Sequence, residues 1–181
     1  MKKYMNKRVL DAQLSGIRTF NQRAMSIKDS LLLTLGEPDF PTPEEIKLEV
    51  NKALDKDMTH YAQTIGNIDL VEKISLYEKE YNNVSYDLDE IIVTNGSTEA
   101  ITASLFSVIN EGDEVIIPIP AFGLYESSLK VAGAKYVPLD TSINNFQISK
   151  EMLDNVILIK LKLLLLLVQI IQQVLYIPMK H

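Results

Sequence analysis

The 181-residue sequence contains no cysteine and only two histidines, His60 and His181. The first absence excludes a disulfide framework and thiolate-ligated metal, and it fits a reducing, cytoplasmic setting. Two histidines alone leave no basis for a His-ligated metal site. An excess of positive charge is also lacking. The net charge is -6, so no basic field recommends nucleic acid or an anionic membrane as a partner. Lys2, Lys3, Lys7 and Arg8 crowd the start and read as a loose solvated arm. Met1–Leu10 has no continuous apolar core, so no signal peptide is expected there. Long hydrophobic runs are missing too. The unbroken stretch Leu163–Val168 is far shorter than the roughly 20 residues of a spanning helix. Neither an internal repeat nor a low-complexity linker occurs.

What remains is the composition of an ordinary soluble globular protein, 46% hydrophobic and 23% charged, long enough for one domain with a sizeable core. Up to about Ser30 no clean period appears, which suggests an arm with a short helix. Leu31–Leu35 ends at Gly36 and reads as a buried strand or an extended segment entering a turn. Thr42-Pro43-Glu44-Glu45 is a helix start, with Thr42 as cap, Pro43 at the first helical position and Glu45 closing a capping box. Ile46, Val50, Ala53 and Leu54 then share one face. A second amphipathic helix follows Gly66, carrying Leu70, Val71, Ile74, Tyr77 and Tyr81 at helical spacing.

After Tyr86 short β-rich runs alternate with helices. The pattern predicts strands at Glu90–Thr94, Glu114–Ile117 and Lys135–Leu139. It predicts helices at Ser97–Ile109 and Phe122–Ala132, the latter ended by Gly133, and a short helix capped by Ser149 that runs to Val156. Such alternation argues for an α/β fold: βαβ units on a mostly parallel sheet with flanking helices.

The segment Ile91–Ile101 carries the most chemical information. A strand ends at Gly96, and Ser97 and Thr98 open the next helix. A helix N-terminus offers unpaired N–H groups and the positive end of the macrodipole, so Gly96, Ser97 and Thr98 can cradle a phosphate. Ser and Thr also cap many helices that bind nothing. No Walker A loop follows, and Gly96 lacks the companion glycines of a dinucleotide fingerprint. His60 reads as a partly exposed loop histidine. Asp11, Asp39, Asp87 and Asp89 show no paired-carboxylate spacing.

Four segments occur in order at regular intervals: Leu35-Gly36-Glu37-Pro38-Asp39-Phe40-Pro41-Thr42-Pro43, His60-Tyr61 with Gly66, Thr94–Ile101, and Pro118-Ile119-Pro120-Ala121-Phe122-Gly123-Leu124-Tyr125. Together they resemble the aspartate/aromatic class of aminotransferases, among the fold-type I pyridoxal-phosphate enzymes. The start Leu14-Ser15-Gly16-Ile17-Arg18 is similar to the bacterial branch with the N-acetyl-diaminopimelate-type aminotransferases. The resemblance covers roughly residues 14–157. It implies an incomplete large domain of aminotransferase type: an arm and the start of a small domain over residues 1–43, and the first part of the cofactor-binding domain over 44–157.

The resemblance further implies pyridoxal 5'-phosphate as cofactor, an amino acid and a 2-oxo acid as substrates, and a homodimer. Gly96, Ser97 and Thr98 would hold the cofactor phosphate. Phe122 would stack on the pyridine ring, Tyr61 would reach the phosphate of the neighbouring subunit, and the Gly36 backbone would meet the substrate carboxylate. Tyr125 has a family counterpart but no assigned role. Read without the family, the same positions are a helix cap, a core phenylalanine, a surface tyrosine and a turn glycine. A carbon–sulfur lyase of the same fold shares these early motifs. A regulator with a degenerate domain would need a DNA-binding module, for which the stretch before Gly36 is too short.

The family pattern continues with an Asn-Pro-x-Gly motif, an aspartate for the pyridinium nitrogen, the imine lysine and an arginine for the substrate carboxylate. None is recognisable here, so the chain alone is expected to be inactive. The tail 158–181 suggests why. Read one base earlier, the codons of Val168–Val174 can encode Ser-Pro-Asn-Asn-Pro-Thr-Gly, and those of Leu158–Leu167 permit Thr-Asp-Lys-Thr-Lys-Ala-Ile-Ile-Ile-Thr, a strand leading into the missing motif. The expectation is a single-base deletion near the codons for Ile157 and Leu158, leaving a non-enzymatic fragment. The competing reading is a genuine apolar helix or amphipathic anchor over Leu158–Tyr176.

Overall fold

A computed structural model describes residues 2–12, 16–156 and 161–164. Its helices are α1 (Lys7–Asp11), α2 (Gly16–Met25), α3 (Glu44–Asp55), α4 (Ile68–Tyr81), α5 (Ser97–Val108), α6 (Leu124–Ala132) and α7 (Lys150–Val156). Its strands are β1 (Glu114–Ile119), β2 (Lys135–Asp140) and β3 (Leu161–Leu164), and single 3-10 turns lie at Lys2–Tyr4, Leu88–Glu90 and Ser142–Asn144. The residues form two compact units. Leu35–Ala100 is one, and the residues before and after that span make up the other.

The unit outside Leu35–Ala100 is built on a parallel sheet of order β2-β1-β3. Because both faces of β1 are covered, it carries a continuous apolar run rather than an alternating one. Val115, Ile116 and Ile117 are wholly buried. Leu105 and Ile109 meet Val115, Ile117 and Leu129 in one core, with Ile101, Ala121, Tyr125 and Tyr136 partly buried around it. Each such aliphatic side chain contributes about 1.5–3 kcal/mol by leaving water. The start of the sheet is tied by Lys135 N–H to Asp113 O (2.8 Å) and Gly112 N–H to Gly133 O (2.9 Å). Glu114 and Lys135, opposite each other in register, form an ion pair at 2.7 Å. The expected β-α-β run over 114–140 is therefore present, with each strand slightly longer than the sequence suggests and α6 beginning at Leu124 instead of Phe122. Ser149 caps α7 as expected, its Oγ accepting from Met152 N–H at 3.2 Å.

Four readings are corrected here. The N-terminal arm holds two α-helices, not one, and Arg8 is not a loose solvated cation. Its guanidinium pairs with Glu111 and lies where a Cβ on Gly133 would stand only 2.7 Å from Nη1. Leu31–Leu35 is extended but is neither a strand nor buried, Leu31 and Leu33 being 84% and 83% exposed. A run of leucines announces apolarity, but a strand also needs a neighbour to take its backbone bonds, and none pairs there among the described residues. The apolar-helix reading of Leu158–Tyr176 fails at Leu161–Leu164, which pair with β1 as a strand. The rest of that tail, including Val168–Val174, lies outside the described residues.

In the unit Leu35–Ala100 the expected capping box at Thr42 is also corrected. Pro43 is the cap residue of α3, with no side-chain cap bond, and the first N–H groups reach its carbonyl, Ile46 N at 3.2 Å. In the first turn Glu44 pairs with Lys47 at 3.0 Å. On α4 the cap is Asn67, whose Oδ1 accepts from Asp69 N–H (2.9 Å) and Leu70 N–H (3.3 Å). Val71 is the wholly buried residue of that helix, while Tyr77 and Tyr81 stack at 4.7 Å on its exposed side. Gly66 sits at φ +117, and a Cβ there would stand 2.7 Å from Val93 Cβ, so both the backbone angle and the space demand glycine. The strand expected at Glu90–Thr94 is absent. Leu88–Glu90 is a 3-10 turn closed by Asp87 N–H to Glu90 Oε2 (2.8 Å), and Ile91–Thr94 is extended without a ladder, tied by Val93 N–H to Ile65 O (2.8 Å). Among the described residues no helix is long and apolar enough to cross a membrane.

Candidate functional site

The bend that opens α5 is made by Gly96, at φ +85, a left-handed conformation that side chains disfavour. Around it Thr94 Oγ1 donates to Gly96 O (3.0 Å), Gly96 N–H to Thr94 O (2.8 Å) and Asn95 N–H to Glu99 Oε2 (2.5 Å). The helix's own bonding begins with Ala100 N–H to Gly96 O at 3.4 Å. Among the described residues, the N–H groups of Ser97, Thr98 and Glu99 and the hydroxyls of Ser97 and Thr98 have no protein partner, and all three residues are exposed. A Cβ added to Gly96 would meet nothing within 4 Å, so the approach is open. These donors converge at the positive end of a 12-residue helix, the electrostatic setting that favours an anion. The Glu99 carboxylate is the opposing charge in the same turn. Sequence reasoning missed it: Asn95 and Glu99 stand four residues apart, but only the bend at Gly96 brings the two groups together.

In the other unit, Phe122 stands in the connection from β1 to α6, past the carboxyl end of β1, where ligands of α/β sheets collect. It is 42% exposed, which removes its reading as a core side chain, and its carbonyl accepts from Tyr125 N–H at 3.2 Å. Tyr125 packs against the core. Sequence reasoning also missed Thr141. It is buried, and both its Oγ1 (2.8 Å) and its N–H (3.0 Å) donate to Ile119 O, locking the carboxyl ends of β1 and β2 together. Beside it Asp140 accepts from the Ser142 hydroxyl (2.6 Å) and N–H (3.0 Å), and these two bonds hold its carboxyl below the usual carboxylate range. Burial, with the Glu126 charge adding to it, pushes the Tyr136 phenol up.

Gly36 and Tyr61 are both exposed. Glu37 N–H donates to Leu35 O (3.2 Å) around Gly36, where an added Cβ would meet nothing, and the Tyr61 ring is wholly in solvent. His60 is likewise exposed. The structure thus brings Gly96, Ser97 and Thr98 together as one donor set within the unit that also holds Gly36 and Tyr61, while Phe122 belongs to the other unit. Among the described residues no group of His, Asp and Glu side chains is arranged to hold a metal ion.

Residues 28–166 match the family model described as aminotransferase class I and II. The chain is 34% identical over 156 residues to the "Probable N-acetyl-LL-diaminopimelate aminotransferase" of Bacillus subtilis, covering 86% of this chain and 40% of the relative. It is 37% identical over 157 residues to the aspartate aminotransferase of Pyrococcus horikoshii, again covering 86% and 40%. Among solved structures, the aspartate aminotransferase of Thermus thermophilus with maleate superposes with a TM-score of 0.83 at 30% identity, over 88% of this chain and 43% of that one. The chain therefore spans about two fifths of the length of the curated relatives it matches.

Proposed function

The chain belongs to the class I and II aminotransferase family, and from that premise we propose that its residues serve an enzyme that moves an amino group between an amino acid and a 2-oxo acid with pyridoxal 5'-phosphate. When bound, that cofactor supplies the electron sink for the bond changes at the amino-acid α-carbon. The work of this chain's own residues is to bind and orient. The observation that carries the reading is the free donor set at the start of α5, which fits a phosphate in charge and in open space. Ser97 and Thr98 would anchor the phosphate through their N–H groups and hydroxyls, with Gly96 allowing close approach. Phe122 would offer its exposed face to the pyridine ring. Gly36 would meet the substrate carboxylate through its backbone. Tyr61, fully exposed, would serve the phosphate of a second copy in a homodimer. On this reading residues 44–157 are the first part of the cofactor domain, residues 1–43 the arm and the start of a small domain, and the enzyme works in the cytoplasm.

Binding tests the phosphate anchor directly. The full chain should take up pyridoxal phosphate, inorganic phosphate should compete, and unphosphorylated pyridoxal should bind far more weakly. Replacing Ser97 and Thr98 together by alanine should cost about a hundredfold or more in affinity, since each of the two hydroxyl bonds to a charged group contributes about 1.5–3 kcal/mol. Equal affinity for pyridoxal and its phosphate would sink the assignment. The 181-residue polypeptide alone should show no transamination, because no imine lysine is recognisable in it.

A further inference from the structure

Asn95-Gly96 is the only Asn-Gly step in the sequence, and it stands in the bend before α5. Asparagine is chemically labile where its side-chain carbon can be reached by the next backbone nitrogen, and a following glycine gives that approach the least hindrance. Both residues are exposed, and the Cα of Gly96 faces open space. Among the described residues the Asn95 side-chain amide makes no hydrogen bond, so nothing holds its Cγ away from the main chain. The attacking nitrogen is restrained by one bond, Gly96 N–H to Thr94 O (2.8 Å), closed over a three-residue turn. The Asn95 backbone is pinned by one more, from its N–H to Glu99 Oε2 (2.5 Å).

We propose that Asn95 is a self-modification site, an Asn-Gly step that converts to aspartate and isoaspartate and so places a new carboxylate at the mouth of the Gly96–Thr98 cradle. The Gly96 nitrogen gives its proton to hydroxide and attacks Asn95 Cγ. The N–Cγ bond forms, the Cγ–Nδ2 bond breaks, and ammonia leaves with a proton from water. Water then opens the resulting five-membered imide at either carbonyl, and no oxidant or reductant is needed. Either product adds a negative charge two residues before the free donors, and the isoaspartate also lengthens the main chain by one carbon. Loss of anion binding on conversion rests on the phosphate reading above. The conversion itself does not.

The test incubates the full chain in mildly alkaline buffer and follows each asparagine by peptide mapping and isoaspartate-specific methylation, with the urea-denatured chain as reference. Asn95 should convert several-fold faster than Asn83 and Asn145, and within a few-fold of its rate in urea. Gly96→Ala should abolish conversion at Asn95. Glu99→Ala, which leaves Gly96 in place, should speed it several-fold by releasing the Asn95 backbone. Protection of Asn95 by more than an order of magnitude relative to the denatured chain overturns the proposal, as does a rate unaffected by Glu99→Ala. Phosphate affinity of the aged chain should fall in step with conversion, while Asn95→Ser should keep its affinity on ageing. If fresh chain converts but never binds phosphate, the functional reading and the second half of the proposal fail while the chemistry stands. Binding without conversion has the opposite meaning.

Discussion

The unit around β1 and the unit Leu35–Ala100 both carry helices with clear apolar faces, yet they use them differently. In the first, α5 and α6 close over a fully buried strand, and Leu105, Ile109, Val115, Ile117 and Leu129 touch one another. In the second, α3 has no buried residue, and Val71 and Ile91 are the buried hydrophobic side chains among the described residues of that span. Ile46, Val50 and Leu54 lie on the expected face of α3 but are more than half exposed. Amphipathic spacing is thus a statement about which side of a helix is ready for burial, and a packed partner turns that readiness into stability.

The largest expected effect lies in the contrast itself. Ile117→Ala should cost about 2–5 kcal/mol, the usual range for emptying a packed aliphatic site, whereas Leu54→Ala should stay within about 0.5 kcal/mol as a surface change. Urea midpoints of the two variants measure this, and a large loss for Leu54→Ala would mean that the α3 face is covered in solution. Gly66→Ala comes next, at about 1–3 kcal/mol for a side chain forced to positive φ, with the contact against Val93 adding to it. Hydrogen exchange at the Val93 amide should rise most, since its bond to Ile65 O spans that contact. Arg8→Ala should cost no more than about 1 kcal/mol, because an exposed ion pair gains little in water. A larger loss in thermal unfolding would show that the packing of α1 on α6 matters beyond the pair with Glu111.

The smallest effect concerns pH. The Asp140 carboxyl is depressed by its two bonds from Ser142, so its contribution is present above the unfolded carboxyl range, about 3.9, and is lost as pH falls through the lower folded value. Ser142→Ala should move the Asp140 titration up toward the ordinary range, as read by carbon NMR of its side chain. The Tyr136 phenol, raised by burial and Glu126, works at the other limb. Its contribution is present below about 10 and is lost as pH rises through the folded value. Tyr136→Phe should flatten the alkaline limb alone.

Much of this was legible beforehand at α4, at the β-α-β run from Glu114 to Asp140 and at the Ser149 cap of α7. Their signals are local: helical spacing, an apolar run flanked by turns, a hydroxyl three residues before an unpaired N–H. Leu31–Leu35 and Glu90–Thr94 misled for the converse reason. Each is apolar and short, but strand identity resides in hydrogen bonds to another segment, which no local run contains. The Gly96-Ser97-Thr98 bend was recognisable because glycine and hydroxyl residues mark it. Its Glu99 clamp and the Thr141 lock were not, because each depends on a backbone curving until two groups meet.

By itself the sequence determined the family, the alternation of helices and strands from Glu114 to Asp140, the strand at Glu114–Ile117, and the small hydroxyl residues at the start of α5, since each is written in residue type and spacing. Tertiary structure alone decided that β1 is central, that Thr141 binds Ile119, that Arg8 pairs with Glu111, and that Ile46, Val50 and Leu54 on α3 are more than half exposed. Those outcomes depend on which distant segment arrives beside each group, and proximity across the chain is a property of the fold.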